Sequence, residues 1–159
     1  MTQAIPNEYP GLIPYLSVPG AAQALEFYQR AFGAEVAYRL NGPAGRLGHA
    51  EMRVGKACFM LGEPCEESPQ GTAAPGQSSA ISLYLYVEDV DTCFAQALAA
   101  GAEQLMAPQD MFYGDRSGML RDPYGLVWSL ASHIEDVSPE EMARRAAQMF
   151  GQSPAASPQ

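Results

Sequence analysis

Tyr15-Leu16-Ser17-Val18 returns as Tyr84-Leu85-Tyr86-Val87, 69 residues later (84 − 15), and this pair decides the fold. Gly33-Ala34-Glu35 likewise returns as Gly101-Ala102-Glu103. A third set, Arg46, Gly48 and Gly55, returns as Arg116, Gly118 and Gly125. Three landmarks in the same order indicate a duplicated supersecondary unit. Two half-modules that cannot bury their apolar faces alone must pack together, and the cleft they share is the predicted ligand site.

Composition bounds the class of protein. The chain has 159 residues, 47% of them hydrophobic, which is enough for one globular domain with a core. Nine Lys and Arg against 18 Asp and Glu give a net charge of −9, which argues against a nucleic-acid partner. Cys58, Cys65 and Cys93 follow no zinc or redox spacing, so we expect reduced thiols. With no apolar run that suits a signal peptide or a membrane span, we expect a cytoplasmic protein without a membrane partner.

Each copy has the pattern of a βαβββ unit, so the predicted fold class is α+β. Leu16 and Val18 alternate with Tyr15 and Ser17, which predicts an aliphatic face toward a helix and a Tyr/Ser face toward the concave side of the sheet. Predicted strands of the first copy are 12–18, 36–40, 47–54 and 57–61, with a helix over 20–32. Those of the second are 81–87, 103–107, 117–121 and 126–132, with a helix over 90–100.

The predicted organisation is an N-terminal arm (1–10), a first module (11–63), a linker (64–79), a second module (80–133), a C-terminal helix (134–151) and a disordered tail (152–159). The linker is rich in Pro, Gly, Ser and Glu. Ser138 and Glu141 form an S-x-x-E capping box with Pro139 at the first helical position. We expect this helix to dock either on its own domain or on a second subunit.

Several motifs give a family resemblance. They are Leu25-Glu26-Phe27-Tyr28, Phe32-Gly33-Ala34-Glu35, Tyr86-Val87-Glu88-Asp89-Val90-Asp91 and the turn Asp122-Pro123-Tyr124-Gly125 before the final strand. Over residues 11–133 the chain resembles the vicinal oxygen chelate superfamily, which includes glyoxalase I, bleomycin-binding proteins and extradiol dioxygenases. It is most similar to the bacterial glyoxalase-like branch that includes phosphonate-operon proteins. The resemblance implies tandem βαβββ modules that form a curved sheet around a shared cleft, and a homodimer.

The resemblance also implies four positions for a divalent metal, on the first and last strands of each copy. Here they fall at about Ile13, Met60, Ser82 and Ser129, none of which offers a carboxylate or an imidazole. This departure favours a protein without the usual metal, so we expect no cofactor. A divalent metal held by a non-standard set is the alternative.

His49 and Glu51 are the candidate catalytic residues. They lie two apart on a predicted strand and therefore share a face. On the concave face they would bind a metal or act as an acid–base pair, whereas the neighbouring alternation fits a solvent-facing pair equally well. His133, past the last predicted strand, is assigned a surface or interface role.

The predicted ligand-binding residues are Tyr15, Ser17, His49, Met60, Tyr84, Tyr86, Phe112, Arg116 and Ser129. Tyrosine rings with hydroxyl tips suit a flat or amphipathic ligand, although they would also pack against each other between the copies. Arg116 would clamp an anionic group, pair with Asp115 or brace the turn.

These observations predict a protein that binds a small organic molecule in an aromatic cleft without a metal. The alternative is a metal-dependent glyoxalase-like lyase, isomerase or dioxygenase that acts on a small oxygenated substrate. An interaction module that uses the C-terminal helix is a third hypothesis.

Overall fold

The structure is a computed structural model that describes residues 4, 6–9, 11–65, 71–72 and 80–151. Most of the linker predicted at 64–79, and the whole tail predicted at 152–159, lie outside these residues. Over these ranges the fold is α+β, as predicted, with two four-stranded sheets and three α-helices. Among the described residues, no helix is long and apolar enough to cross a membrane.

The two modules have the same order of elements. The first contains β1 (Tyr15–Ser17), α1 (Ala21–Phe32), β2 (Glu35–Asn41), β3 (Leu47–Val54) and β4 (Ala57–Gly62). The second contains β5 (Ser82–Tyr86), α2 (Val90–Ala100), β6 (Glu103–Asp110), β7 (Asp115–Arg121) and β8 (Val127–His133), and α3 (Pro139–Phe150) follows it. The strand orders are β1-β4-β3-β2 and β5-β8-β7-β6, and in each sheet the first strand runs parallel to the last. This equivalence confirms the internal repeat.

The last strand of each module leads to the start of that module's own helix. The Glu63 carboxylate, just beyond β4, accepts hydrogen bonds from the backbone N–H groups of Gly20 and Ala21 at the start of α1. In the second module, the Ser132 hydroxyl of β8 accepts from the N–H of Val90. These side chains satisfy N–H groups that have no partner within the helix. They therefore fix each helix against its sheet.

The core lies between the helices and one face of each sheet. Leu16, Val18 and Leu85 are buried there, as the alternation predicted. Tyr28 of α1 is fully buried, with its ring centroid 5.3 Å from that of Phe59 and 5.5 Å from that of Trp128. Phe59 belongs to the first sheet and Trp128 to the second, so one ring packs against both modules.

A buried carboxylate joins the modules next to this ring. Asp122, in the turn before β8, accepts from the Tyr28 hydroxyl at 2.8 Å and from Trp128 Nε1 at 3.0 Å. Its other oxygen accepts from the N–H groups of Tyr124 and Leu126, each at 2.9 Å. Burial raises the pKa of Asp122, although these hydrogen bonds act in the opposite direction. This turn, which is one of the motifs that give the family resemblance, is thus the attachment point of α1.

The C-terminal helix docks on its own chain through polar contacts and one contact between aromatic rings. Ser138 accepts from the N–H of Glu141, as predicted, but the Glu141 carboxylate pairs with Arg144 and Arg145, so only half of the capping box forms. Arg145 also pairs with Glu135 and donates to the carbonyl oxygen of Phe112. No residue of α3 is fully buried. Its contact with a second subunit stays a prediction.

Candidate functional site

Each sheet has a face that turns away from the core, which we call the inner face. On the first sheet the strand register aligns Tyr15, Met60, Glu51 and Tyr38 in one row across this face. On the second sheet it aligns Tyr84, Ser129, Met119 and Met106. Ser17, opposite Gly62, lies on the first inner face, and Tyr86, opposite Ala131, lies on the second. The predicted ligand residues on β1, β4, β5 and β8, the first and last strands of each module, therefore lie on the inner faces.

His49 lies between two tyrosines on the first inner face. Its ring stacks on Tyr15 at a centroid distance of 5.7 Å, and the Tyr38 ring lies 6.2 Å away on the neighbouring strand. His49 Nδ1 is 3.3 Å from the Tyr15 hydroxyl, and Nε2 is 3.6 Å from Glu51 Oε1. The two side chains are only 24% and 14% exposed. The structure therefore brings the candidate pair together on the inner face, and its chemical role stays a prediction.

The N-terminal arm closes this cluster from outside the first module. The Tyr9 hydroxyl lies 2.8 and 2.9 Å from the two carboxylate oxygens of Glu51 and donates to that group. This hydrogen bond is the main reason that the pKa of Tyr9 is raised. Tyr9 was not among the predicted site residues, because no local pattern links residue 9 to residue 51.

The second inner face is organised around Asp115, which is only 4% exposed. One carboxylate oxygen accepts from the hydroxyls of Tyr86 at 2.7 Å and Tyr84 at 3.3 Å, and the other accepts from His133 Nδ1 at 2.8 Å. Burial alone would raise the pKa of Asp115, but these three hydrogen bonds outweigh it and lower the pKa. The carboxylate is therefore held ionised by two tyrosine hydroxyls and the His133 ring.

His133 connects Asp115 to a pocket at the edge of the second inner face. Its Nε2 lies 2.9 Å from the carboxylate of Asp136, and the two carboxylates raise the pKa of His133, with the larger contribution from the hydrogen bond to Asp115. The pocket has a volume of about 580 Å³. It is lined by Tyr86, Tyr113, Asp115, His133, Asp136, Val137, Ser138 and Met142.

The predicted strand ends explain why the pair of Asp115 and His133 was missed. The sequence predicted strands over 117–121 and 126–132, whereas β7 begins at Asp115 and β8 ends at His133. The register places Asp115 directly opposite His133. The signal that could have found Asp115 is the alternation along the strand. Asp115 lies two residues before Ser117 and therefore shares its face. The surface or interface role assigned to His133 is therefore incomplete, because its ring is hydrogen-bonded to Asp115 on the inner face.

Arg116 lies on the opposite face of β7. Its guanidinium is paired with Asp91 of α2 at 2.7 Å and with Asp110 of β6 at 2.8 Å. These two carboxylates raise the pKa of Arg116. The predicted alternative of a pair with Asp115 is wrong, because successive residues of a strand face opposite sides of the sheet. The contact of Arg116 with a ligand stays a prediction.

Phe112 packs at the edge of the second module. Its ring centroid lies 5.3 Å from that of Tyr113 and 6.2 Å from that of Phe150 in α3, so it supports the C-terminal helix.

A groove of about 710 Å³ runs between the modules, from the β3–β4 turn at Gly55 and Lys56 to Tyr84 and Tyr86. The groove therefore meets the pocket at Tyr86, which lines both.

The side chains do not fit a metal at the positions that the resemblance implied. Ile13, Met60, Ser82 and Ser129 offer no imidazole or carboxylate there. Within the described ranges, no three His, Cys, Asp or Glu side chains are placed to hold a metal ion. Around His133 the reason is geometric, because two carboxylates bind opposite nitrogens of one ring and do not converge.

Comparisons with known proteins agree with this fold. A sequence profile of the Glyoxalase/Bleomycin resistance protein/Dioxygenase superfamily matches residues 13–130. An uncharacterised protein of Mycobacterium tuberculosis (strain H37Rv) is 38% identical over 144 residues, which cover 89% of this chain and 84% of that protein. The crystal structure of TioX from Micromonospora sp. ML1 has a TM-score of 0.61 at 26% identity, covering 80% of this chain and 98% of TioX.

A PhnB protein from Bacillus cereus has a TM-score of 0.60 at 24% identity, covering 77% of this chain and 98% of that one, a likeness that shows the fold. The profile spans both repeats and ends inside β8. The N-terminal arm and α3 thus lie outside the matched region. The chain belongs to the glyoxalase/bleomycin resistance protein/dioxygenase superfamily.

Proposed function

We propose that the protein binds a small organic molecule on its tyrosine-lined inner faces, by ring stacking and hydroxyl hydrogen bonds, without a metal. The main support is the exposure of large rings, since Tyr15, Tyr84 and Tyr86 are 42%, 49% and 61% exposed. Rings that serve only the core are buried, as Tyr28 and Trp128 are. Exposed rings with polar partners at their tips are typical of sites that bind a flat ligand.

The test measures the binding of proflavine, a planar aromatic cation, and of neutral planar aromatic molecules. Fluorescence titration gives the affinity of each probe. Replacing the ring of Tyr86 with an aliphatic side chain (Tyr86→Leu) should weaken binding about 2- to 13-fold, because a ring contact contributes about 0.5–1.5 kcal/mol. Tyr86→Phe is the matched control that keeps the ring and loses only the hydroxyl. Absence of saturable binding to all the probes, or equal affinity of Tyr86→Leu and wild type, would contradict the proposal.

The second candidate is a metal-dependent lyase, isomerase or dioxygenase that acts on a small oxygenated substrate. The observation that favours it is the half-buried pair of His49 and Glu51 on the first inner face. Imidazole and carboxylate are ligands for several divalent metals, which would act as Lewis acids when bound. Metal analysis and thermal shift with Ni²⁺, Zn²⁺, Mn²⁺ and Fe²⁺ test it, because a bound ion raises the melting temperature. The shift should disappear in His49→Ala.

We also propose a homodimer in which a second copy covers part of the exposed inner faces. Besides the tyrosines, Leu40 of β2 is an exposed apolar side chain on the first inner face, because it lies opposite His49. Apolar area of this kind supports a protein–protein contact. Light scattering after size-exclusion chromatography tests the mass, and Leu40→Glu should shift it toward the monomer.

The free thiols of Cys58, Cys65 and Cys93 fit the cytoplasmic location that we propose.

A further inference from the structure

We propose that His133, held by Asp115, is a general base that faces the 580 Å³ pocket and removes a proton from a neutral or cationic ligand. This inference rests on the proposed binding function, because Tyr86 lines both the inner face and the pocket. It assigns an acid–base centre to the second module. The candidate pair predicted from the sequence, His49 and Glu51, lies in the first.

The hydrogen bonds fix which nitrogen of His133 acts as the base. An ionised carboxylate only accepts, so Nδ1 must donate its proton to Asp115. The Tyr84 and Tyr86 hydroxyls occupy the other oxygen of Asp115, and this helps to keep the carboxylate ionised. In the neutral ring, the lone pair is therefore on Nε2. A base held in this way by a buried carboxylate is a recurring arrangement for proton transfer.

The second partner of His133 is easily displaced. Asp136 lies in the segment between β8 and α3, and its side chain is fully exposed, with a relative accessibility of 104%. The Asp136 bond requires a proton on Nε2, so only the charged ring makes both bonds. When the ring loses that proton, Asp136 loses its donor and can turn into solvent. The Nε2 lone pair then faces the pocket.

The lining of the pocket indicates the class of ligand. Tyr86, Tyr113, Val137 and Met142 supply aromatic and apolar walls. The charged side chains among the lining residues are those of Asp115 and Asp136 beside His133, so an anion would meet net negative charge. A neutral or cationic molecule with an acidic C–H or O–H is therefore the expected substrate.

The proposed step balances without a co-reactant. Nε2 takes the proton, the electron pair of the broken bond stays on the substrate, and the ionised Asp115 stabilises the imidazolium. The imidazolium then returns the proton to another atom of the same molecule or to water. No oxidant or reductant takes part.

The pH dependence follows from the groups around the ring. Asp115 of β7, Tyr84 and Tyr86 of β5, Tyr113 of the β6–β7 loop and Asp136 before α3 are the titratable groups near it. Both carboxylates favour the charged ring, so the base form appears above the ordinary histidine pKa of about 6.5. The rate of proton removal should rise through that raised pKa and then level off.

NMR tests the geometry without a substrate. The chain has two histidines, so His49→Gln assigns the remaining imidazole signal. Long-range ¹⁵N–¹H spectra should show the Nδ1–H tautomer at high pH and a pKa above 6.5. Asp115→Asn should lower that pKa and change the tautomer ratio. An Nε2–H tautomer, or an unchanged titration in Asp115→Asn, would overturn the proposal.

A substrate-independent probe tests the base. When a base removes the C3 proton of 5-nitrobenzisoxazole, the N–O bond breaks and a coloured cyanophenolate forms. His133→Gln should lower the rate at least about tenfold, a modest share of what a placed base contributes. Asp115→Asn should lower the rate and shift its pH profile, and Asp136→Asn should move the profile to lower pH. A rate that persists in His133→Gln, or that is lost only in His49→Gln, overturns the proposal.

Two controls separate this inference from the proposed function. Circular dichroism and melting of each variant report whether it folds. Proflavine binding that persists while His133-dependent elimination is absent overturns only the base. Elimination that depends on His133 while Tyr86→Leu leaves proflavine affinity unchanged overturns only the proposed binding mode.

Discussion

Two buried aspartates differ because of their partners. Asp115 receives donors that include a histidine, and its pKa is lowered despite burial. Asp122 receives four neutral donors, and burial raises its pKa despite them. Each carboxylate thus holds its neighbours in place, but Asp115 is kept charged next to a pocket and Asp122 is sealed in the core.

Asp122→Asn should destabilise the fold by about 1–3 kcal/mol. Each carboxylate oxygen accepts two hydrogen bonds, so an amide NH₂ in place of either oxygen would face two donors. Urea unfolding measures the change. Asp110→Asn is the matched control, because it removes only an exposed ion pair, worth about 0–1 kcal/mol. Equal losses in the two variants would contradict the prediction.

His133 should make stability depend on pH. Its folded pKa is raised, so its stabilisation is fully present below the unfolded pKa of about 6.5 and is lost as pH rises through the folded pKa. The stability difference between wild type and His133→Gln should therefore be larger at pH 5.5 than at pH 8.5. Urea midpoints of the two proteins at pH 5.5 and pH 8.5 measure this difference. A difference that grows with pH would contradict the prediction.

At the residue scale, the alternation predicted that Tyr15, Tyr84 and Tyr86 share the face that turns away from the helices, and it left Asp115 and His133 out of the candidate site. Alternation assigns faces well in the middle of a strand, where Tyr84 and Tyr86 lie. Strand ends depend on tertiary hydrogen bonds, and a shortfall of one or two residues placed both Asp115 and His133 in loops. Tyr9 depends on a contact that spans 42 residues, which no local pattern reveals.

At the scale of elements, the helix starts depend on long-range caps. Asp89 caps α2 locally by accepting from the N–H of Thr92, whereas α1 begins at Ala21 and its N-cap residue, Gly20, supplies no side-chain cap. Glu63 supplies that role from 42 and 43 residues away. The sequence predicted where α1 begins and ends, but it gave no sign of what satisfies its first N–H groups.

Glu63→Ala should destabilise the protein by about 1 kcal/mol, the usual loss for a helix cap. Glu63→Gln keeps an acceptor oxygen and removes the charge that favours the helix N-terminus, so its loss should be smaller. Thermal unfolding of the two variants ranks them. If glutamine is as damaging as alanine, the one acceptor oxygen that remains does not support the start of α1, and the prediction is wrong.

At the scale of the whole molecule, the repeat was enough to predict two equivalent modules. Each half repeats the same topology, and α1 packs against α2. The sequence did not predict how the halves are joined, because Tyr28 reads as an ordinary apolar-stripe residue. Its hydroxyl finds a partner only when both modules are in place.

Unfolding should therefore be a single transition for both modules. Trp128 fluorescence reports the second module, and far-ultraviolet circular dichroism reports both, so the two curves should coincide. Tyr28→Phe removes one donor to Asp122 and should shift both curves together by about 1 kcal/mol. Tyr38→Phe is a control on an exposed ring. Separate midpoints would show that the modules unfold independently.

The bond between Tyr28 and Asp122 also bears on how the chain is made. The acceptor lies 94 residues after the donor, so a ribosome releases α1 long before its partner is translated. Until then Tyr28 lacks both the Trp128 ring that packs on it and the Asp122 carboxylate that accepts from it, so part of the apolar face of α1 stays exposed. Slow translation of the segment between the halves would lengthen this interval and favour capture by chaperones.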